Sequence, residues 1–315
     1  KELWQVAPEK HRKGLVQHSF GWPLDGHTGG GSFMYHFDDN LVSVGFVLHL
    51  NYSNPYLSPF EEFQRFKTHK LVRDTFEGGK RLAYGARALT EGGYQSVPKL
   101  VFAGGALIGC DAGFMNVPRI KGTHNAMHSG MQAAEAVASA LASGRSHDAL
   151  ADYEAGWRTS PIGKDLWRVR NSKPLWSKLG TYLGIPLGGL DMWTNTFGFS
   201  LFGTVKHGKP DSATLKPAAQ CTPIAYPKPD GKLTFDRLSS VFLSNTNHEE
   251  DQPPHLVVSD MSLQTSSERG VFAGPSARYC PAGVYEWVEE AGSPKFVINA
   301  QNCVHCKTCD IKDPN

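Results

Sequence analysis

The 315-residue sequence contains no apolar run of transmembrane length, no block of like charges, no internal repeat and no G-x-G-x-x-G segment. Each absence removes a class. Without about 20 consecutive apolar residues, nothing reads as a bilayer-spanning helix. With 32 Lys and Arg against 30 Asp and Glu, a net charge of +2 and no basic cluster, the surface a nucleic-acid binder needs to neutralise phosphates is missing. The glycine fingerprint that opens a dinucleotide fold does not occur, so a flavin site in this chain lacks its usual first turn. There is no initiator Met and no signal or transit segment, and "KELWQVAPEK" runs straight into strand-like text, so the chain is expected to be cut at its front and also at its back. Cysteine is scarce, six in all, in a chain that is 40% hydrophobic and can bury a core of two or three domains without disulfide staples. The 33 Gly and 20 Pro are scattered, which points to many turns and not to disorder.

Four of the six cysteines carry the sharpest signal. Cys303, Cys306 and Cys309 stand at even two-residue gaps in "NCVHCKTCDIKDPN". Disulfides between such neighbours are strained, whereas a loop wound around a cubane brings three thiolates to three irons, as in the C-x2-C-x2-C run of bacterial ferredoxins. A fourth ligand is then required. Asp313-Pro314 keeps the ferredoxin proline without the thiol before it, and Cys280, ahead of Pro281 in "RYCPAG", is the natural substitute. Zinc also takes four cysteines, usually from two C-x2–4-C knuckles, and stands as the alternative. Cys110 and Cys221 occur singly and read as small buried thiols.

The remaining text changes character along the chain. Residues 1–98 mix strand signals such as "LVSVGFVLHL" with turns, and Ser58-Pro59-Phe60-Glu61 opens a helix with a capping box, giving an α+β section. Within it, "PLDGHTGGGSFMYHF" reads either as a plain glycine loop or as a place where Gly30 and Gly31 leave their amides bare for a flat, polar-edged ring. No metal is assigned to the 13 histidines, which lack metal-ligand spacing. Residues 99–174 read as one β-loop-α unit whose helix starts near His124. Its small residues, from Gly122 to Ala134, suit close approach of a bulky group or simple packing, and its N-terminus suits a pyrophosphate or a flavin carbonyl. Residues 175–205 hold two charges, Lys178 and Asp191, among Trp176, Tyr182, Trp193, Phe197, Phe199 and Phe202. Broken by Gly and Pro, this stretch has the profile of a segment lying in a lipid headgroup region, or else of a buried aromatic packing element. Residues 206–315 end on the cysteine run.

On these blocks, with "GWPLDGHTGGGSF", "NPYLSPFEEFQR", "IGCDAGFMNVPRIKGTHNAMHSG", "CTPIAYPKPDGK", "CPAGVYE" and "INAQNCVHCKTCDIKDP", the chain closely resembles the C-terminal half of the electron-transfer flavoprotein:ubiquinone oxidoreductase family over essentially its whole length. The resemblance implies mixed α+β and α/β architecture: an α+β ubiquinone-binding domain at 1–98, the returning part of a glutathione-reductase-like FAD domain at 99–174, a membrane-interfacial segment at 175–205, and a ferredoxin-like iron–sulfur domain at 206–315. It implies a 4Fe-4S cluster on Cys280, Cys303, Cys306 and Cys309, quinone contacts at Gly30 and Gly31, and FAD contacts near Asn116, Gly122 and Thr123. Tyr285 and Thr308 stand where hydroxyls can bond cluster sulfurs. The activity implied is electron transfer from electron-transfer flavoprotein to ubiquinone, on a monotopic seat at the inner mitochondrial or bacterial cytoplasmic membrane. The alternatives are a soluble flavin reductase of the geranylgeranyl-reductase type and a zinc-stabilised binding module.

Overall fold

In a computed structural model that describes residues 1–249 and 251–314, the chain divides into two units, one taking residues 1–88 and 209 onward, the other Leu89–Gly208. The first break thus falls ten residues earlier than the one expected at 98. The reason is local: the Gln95 amide donates to the carbonyls of Arg170 and Val205, both 2.8 Å away, which fastens this stretch to the second unit.

The first unit opens with strands β1 (Glu2–Gln5), β2 (Val16–Phe20), β3 (Gly30–Phe37) and β4 (Leu41–Leu48). With β5 (Lys80–Tyr84) they form an antiparallel sheet in the order β2-β3-β4-β1-β5. β3 shows the two-residue period of a half-buried strand, burying Gly30, Ser32, Met34 and His36. Between β4 and β5 lie α1 (Pro59–Lys67) and α2 (Lys70–Phe76). Ser58 caps α1 by accepting from the Glu61 N–H at 3.4 Å, and Pro59 occupies the first turn, where its missing N–H costs nothing. Phe63, Phe66, Val72 and Phe76 of these helices pack on Trp4, Met34, Val42 and Val44 of the sheet. Each such side chain contributes about 1.5–3 kcal/mol by leaving water. In the same core Glu2 accepts from Lys67 Nζ (2.8 Å), Arg81 (3.2 Å) and the Trp4 indole (2.8 Å), so one carboxylate ties β1 to α1 and β5.

The second unit holds a short hairpin of β6 (Val101–Phe102) and β7 (Gly105–Ala106), then α3 (Thr123–Ala142), α4 (Ala151–Gly156), α5 (Pro161–Arg168) and α6 (Ser172–Thr196). Its core gathers Leu100, Phe114, Tyr153, Trp157, Ile162 and Leu166. α6 is bent at Gly180, whose φ of 72° no helix accommodates. Beyond the helix, 197–204 turns back and is pinned by the buried Asp191, which accepts from Asn171 and Asn195 at 2.8 Å each and from Ser200 at 2.8 Å.

The chain then completes the first unit with α7 (Arg237–Phe242), α8 (Met261–Leu263) running into a π turn (Gln264–Arg269), and α9 (Ser276–Tyr279). A hairpin of β8 (Tyr285–Glu290) and β9 (Ser293–Ile298) follows, and α10 (Thr308–Lys312). Ala291 and Gly292 both have positive φ, the two-residue turn whose twist matches paired strands.

Candidate metal centre

Cys280 leaves α9, Cys303 and Cys306 lie on the loop after β9, and Cys309 stands in the first turn of α10. All four line one cavity, together with Tyr285, Val284, Lys307 and Thr308. His305 (φ 52°) and Lys307 (φ 66°) both adopt left-handed backbone, so the chain winds tightly on either side of Cys306. The loop is clamped from the sheet side: Ala88 N–H donates to the Cys306 carbonyl at 2.7 Å, Arg87 to that of His305 at 3.2 Å, and the Tyr84 hydroxyl to that of Pro281 at 2.9 Å.

The sulfurs are met by donors. Val284 N–H donates to Cys280 Sγ and His305 N–H to Cys303 Sγ, each at 3.4 Å. The Cys306 thiol lies 3.3 Å from the Thr308 hydroxyl, donating to it; once the sulfur is metallated that hydroxyl has its own proton to give back. The Tyr285 hydroxyl bonds Cys309. Burial pushes the Cys280 thiol up to about 11 and raises those of Cys303 and Cys309 as well. Burial also raises the Tyr285 phenol, so it stays a donor. Three metal-free thiols therefore hold their protons at neutral pH, and an incoming metal must displace them. Four convergent thiols with N–H and O–H groups on their sulfurs fit a 4Fe-4S cluster, whose sulfur charge such bonds stabilise.

Two features beside the cavity escaped the sequence. Lys312, fully buried, donates to the carbonyls of Tyr52 (2.7 Å) and Asp211 (3.2 Å) and to the Thr214 hydroxyl (3.1 Å), and lies 4.1 Å from the Tyr52 ring centre. Burial pulls its ammonium down to about 7. Its signal was a lysine at the end of a five-residue helix, which carries no hint of burial. His248, His255 and His305 meet with ring centres 4.7–5.3 Å apart, and His248 Nε2 lies 2.8 Å from the Cys303 carbonyl.

The other expected residues lie in two further places. Gly30 and Gly31 begin β3, in register with Leu48 and with Val47 and Phe20, so they are sheet positions and not loop ones. A Cβ at Gly31 would strike the carbonyl oxygen of Ser19, and one at Gly30 that of Val47. Asn116, Gly122 and Thr123 surround the N-terminus of α3. Gly122 precedes the helix, and a Cβ there would press on Cys110 Sγ at 2.7 Å. Nearby, Asp165 accepts from Asn125 (3.2 Å) and Arg119 (3.2 Å) and lies 3.1 Å from His124 Nε2. Burial acts to raise its carboxyl, but Asn116 together with His124, Asn125 and Arg119 outweighs it and holds it below the ordinary carboxylate range.

The sequence matches the family described as "ETF-QO, ubiquinone-binding" over residues 1–89 and that described as "Electron transfer flavoprotein-ubiquinone oxidoreductase, 4Fe-4S" over residues 231–315. It is 54% identical over its whole length to a Pseudomonas aeruginosa electron transfer flavoprotein-ubiquinone oxidoreductase, of which it covers 57%. The mitochondrial proteins of that name from Rattus norvegicus and Homo sapiens are 54% and 52% identical, again across the whole of this chain and 52% of each relative. The chain belongs to the electron transfer flavoprotein-ubiquinone oxidoreductase family. It spans about half the length of the curated relatives it matches. Both family matches lie in the first unit apart from Leu89, so the two named domains share one compact body. The architecture is mixed α and β. Among the described residues, the second unit has no sheet beyond the β6–β7 hairpin.

Proposed function

We propose that this chain is part of a membrane-associated oxidoreductase that passes electrons from reduced electron-transfer flavoprotein through a 4Fe-4S cluster and FAD to ubiquinone. The observation that carries this reading is the meeting of Cys280, Cys303, Cys306 and Cys309 on one cavity, in a chain that matches ubiquinone-binding and cluster-binding families at once. When bound, a cluster supplies one-electron steps, FAD one- or two-electron steps, and ubiquinone takes two electrons with two protons. In this reading the four cysteines hold the cluster. The donors on their sulfurs, from Val284, His305, Thr308 and Tyr285, stabilise added negative charge there. Gly30 and Gly31 shape the quinone side by letting strands approach closely. Asn116, Gly122 and Thr123 face FAD, within the returning part of a glutathione-reductase-like domain at 99–174.

Residues 175–205 are the proposed monotopic seat on an inner mitochondrial or bacterial cytoplasmic membrane. Tyr182, Trp193, Phe197 and Phe199 are all more than half exposed there, an apolar display that water penalises and a headgroup region accepts. Among the described residues no helix is long and apolar enough to cross a membrane. A soluble flavin reductase has no use for the quinone match, and a zinc-stabilised module has none for the segment around Asn116. The test is ubiquinol formation by the full-length protein in liposomes supplied with reduced electron-transfer flavoprotein. Flavoprotein-dependent ubiquinol is expected; a protein that carries flavin, ignores the flavoprotein and reduces an alkene instead would overturn the reading.

A further inference from the structure

The three histidines beside the cavity are not used by the reading above, yet two of them aim at one of its ligands. Single ligand atoms of His255, Cys303 and His305 all lie within 4.8 Å of one another. A tetrahedral zinc, with Zn–N near 2.0–2.1 Å and Zn–S near 2.3 Å, holds its ligands about 3.3–3.6 Å apart, so a contraction of about 1 Å closes the set. His255 and His305 are both exposed to solvent. Cys303 is held in place from behind, because His248 meets its carbonyl at 2.8 Å while its ring stacks on that of His255.

We propose that, when the cysteines are free of their cluster, His255, Cys303 and His305 form a zinc site that competes with the four-cysteine site for Cys303. Two imidazoles and one thiolate suit a borderline cation such as Zn2+, and the fourth position is left to water. On binding, the Cys303 S–H bond breaks, its proton passes to solvent and an S–Zn bond forms; nothing is oxidised or reduced. In the loaded protein the same sulfur is spent on iron, so each site excludes the other. Zinc reaching the chain first delays cluster loading. The inference rests on the reading of Cys303 as a cluster ligand.

The test uses the full-length protein stripped of its cluster anaerobically, with Co2+ as the probe because a thiolate-bound tetrahedral cobalt absorbs in the near ultraviolet and visible. Wild type is expected to bind one Co2+ that Zn2+ displaces. The His255→Ala/His305→Ala double variant should bind at least tenfold more weakly, while Cys280→Ala binds as wild type does. The single variant His255→Ala, which leaves every residue around the four sulfurs in place, should also take up iron and sulfide normally without zinc, which establishes that it folds, and should lose the inhibition that one equivalent of Zn2+ imposes on wild-type loading. Equal cobalt affinity in wild type and the double variant, or a loss in Cys280→Ala matching that in the double variant, overturns the proposal by putting the metal on the four cysteines. A wild type that binds Co2+ but never loads a cluster overturns both the competition and the functional reading; one that loads normally with zinc present overturns the competition alone.

Discussion

At the scale of the residue, the hydroxyls beside the sulfurs make the sharpest claim. A hydrogen bond to a cluster sulfur withdraws electron density and stabilises the reduced, more negative state, so it raises the reduction potential. Thr308 Oγ1 lies 3.3 Å from Cys306 Sγ, and Tyr285 bonds Cys309. A net bond of roughly 1 kcal/mol corresponds to tens of millivolts in a one-electron couple, where about 59 mV is tenfold. Thr308→Ala and Tyr285→Phe should each keep the cluster and lower its potential by that order, read by redox titration under electron paramagnetic resonance; wild-type potentials in both would mean neither hydroxyl acts on it. That the cysteines meet on one cavity was legible because the run is local: three of them fall within seven residues. The histidines were not, because 248 and 305 are brought together only by tertiary structure. The glycine pair could be singled out, but its place inside β3 could not be read, since three glycines in a row look like a loop whatever strands flank them. Because a Cβ at Gly31 meets Ser19, Gly31→Ala probes the sheet as much as any quinone pocket.

At the scale of the element, α6 and the return after it repeat the lesson. The sequence shows an aromatic stretch broken by Gly and Pro; the fold makes it a bent helix, pinned through Asp191 and leaving Tyr182, Trp193 and Phe197 outside. The buried-packing alternative does not hold for Phe199, which is 55% exposed. If this surface seats the protein on lipid, Phe199→Asp with Phe202→Asp charges it at a cost on the order of 1 kcal/mol or more per site. The full-length variant should then stay in the supernatant when liposomes are sedimented; undiminished co-sedimentation would place the membrane contact elsewhere. The capping box at Ser58 was readable because a helix start depends on four adjacent residues. The break at 88 was not, because it depends on where the Gln95 side chain finds its carbonyls.

At the scale of the whole molecule, the sheet and the cluster loop are one body, and its core contains charge. Burial acts to raise the Glu2 carboxyl, but Lys67 and Arg81 outweigh it and hold it below its ordinary 4.5. A carboxylate depressed on folding contributes stability that is fully present above about 4.5 and is lost as pH falls through the lower folded value. Glu2→Gln leaves Lys67 buried without its partner, which should cost about 3 kcal/mol at pH 7 and flatten the acid limb of the urea-unfolding profile. A variant with the wild-type acid limb would mean that this carboxylate is not what titrates. In the proposed reading four cysteines, one of them 23 residues away from the run, hold a single redox cluster; Cys280 is the member that local spacing alone would never demand. The most direct measurement is the electron paramagnetic resonance spectrum of the dithionite-reduced full-length protein, wild type against Cys280→Ala, with iron and zinc counted in each. The account predicts the signal of a reduced 4Fe-4S cluster with about four irons in wild type, lost or replaced by a smaller cluster in the variant. One zinc and no signal in wild type, or an unchanged signal in Cys280→Ala, would contradict it.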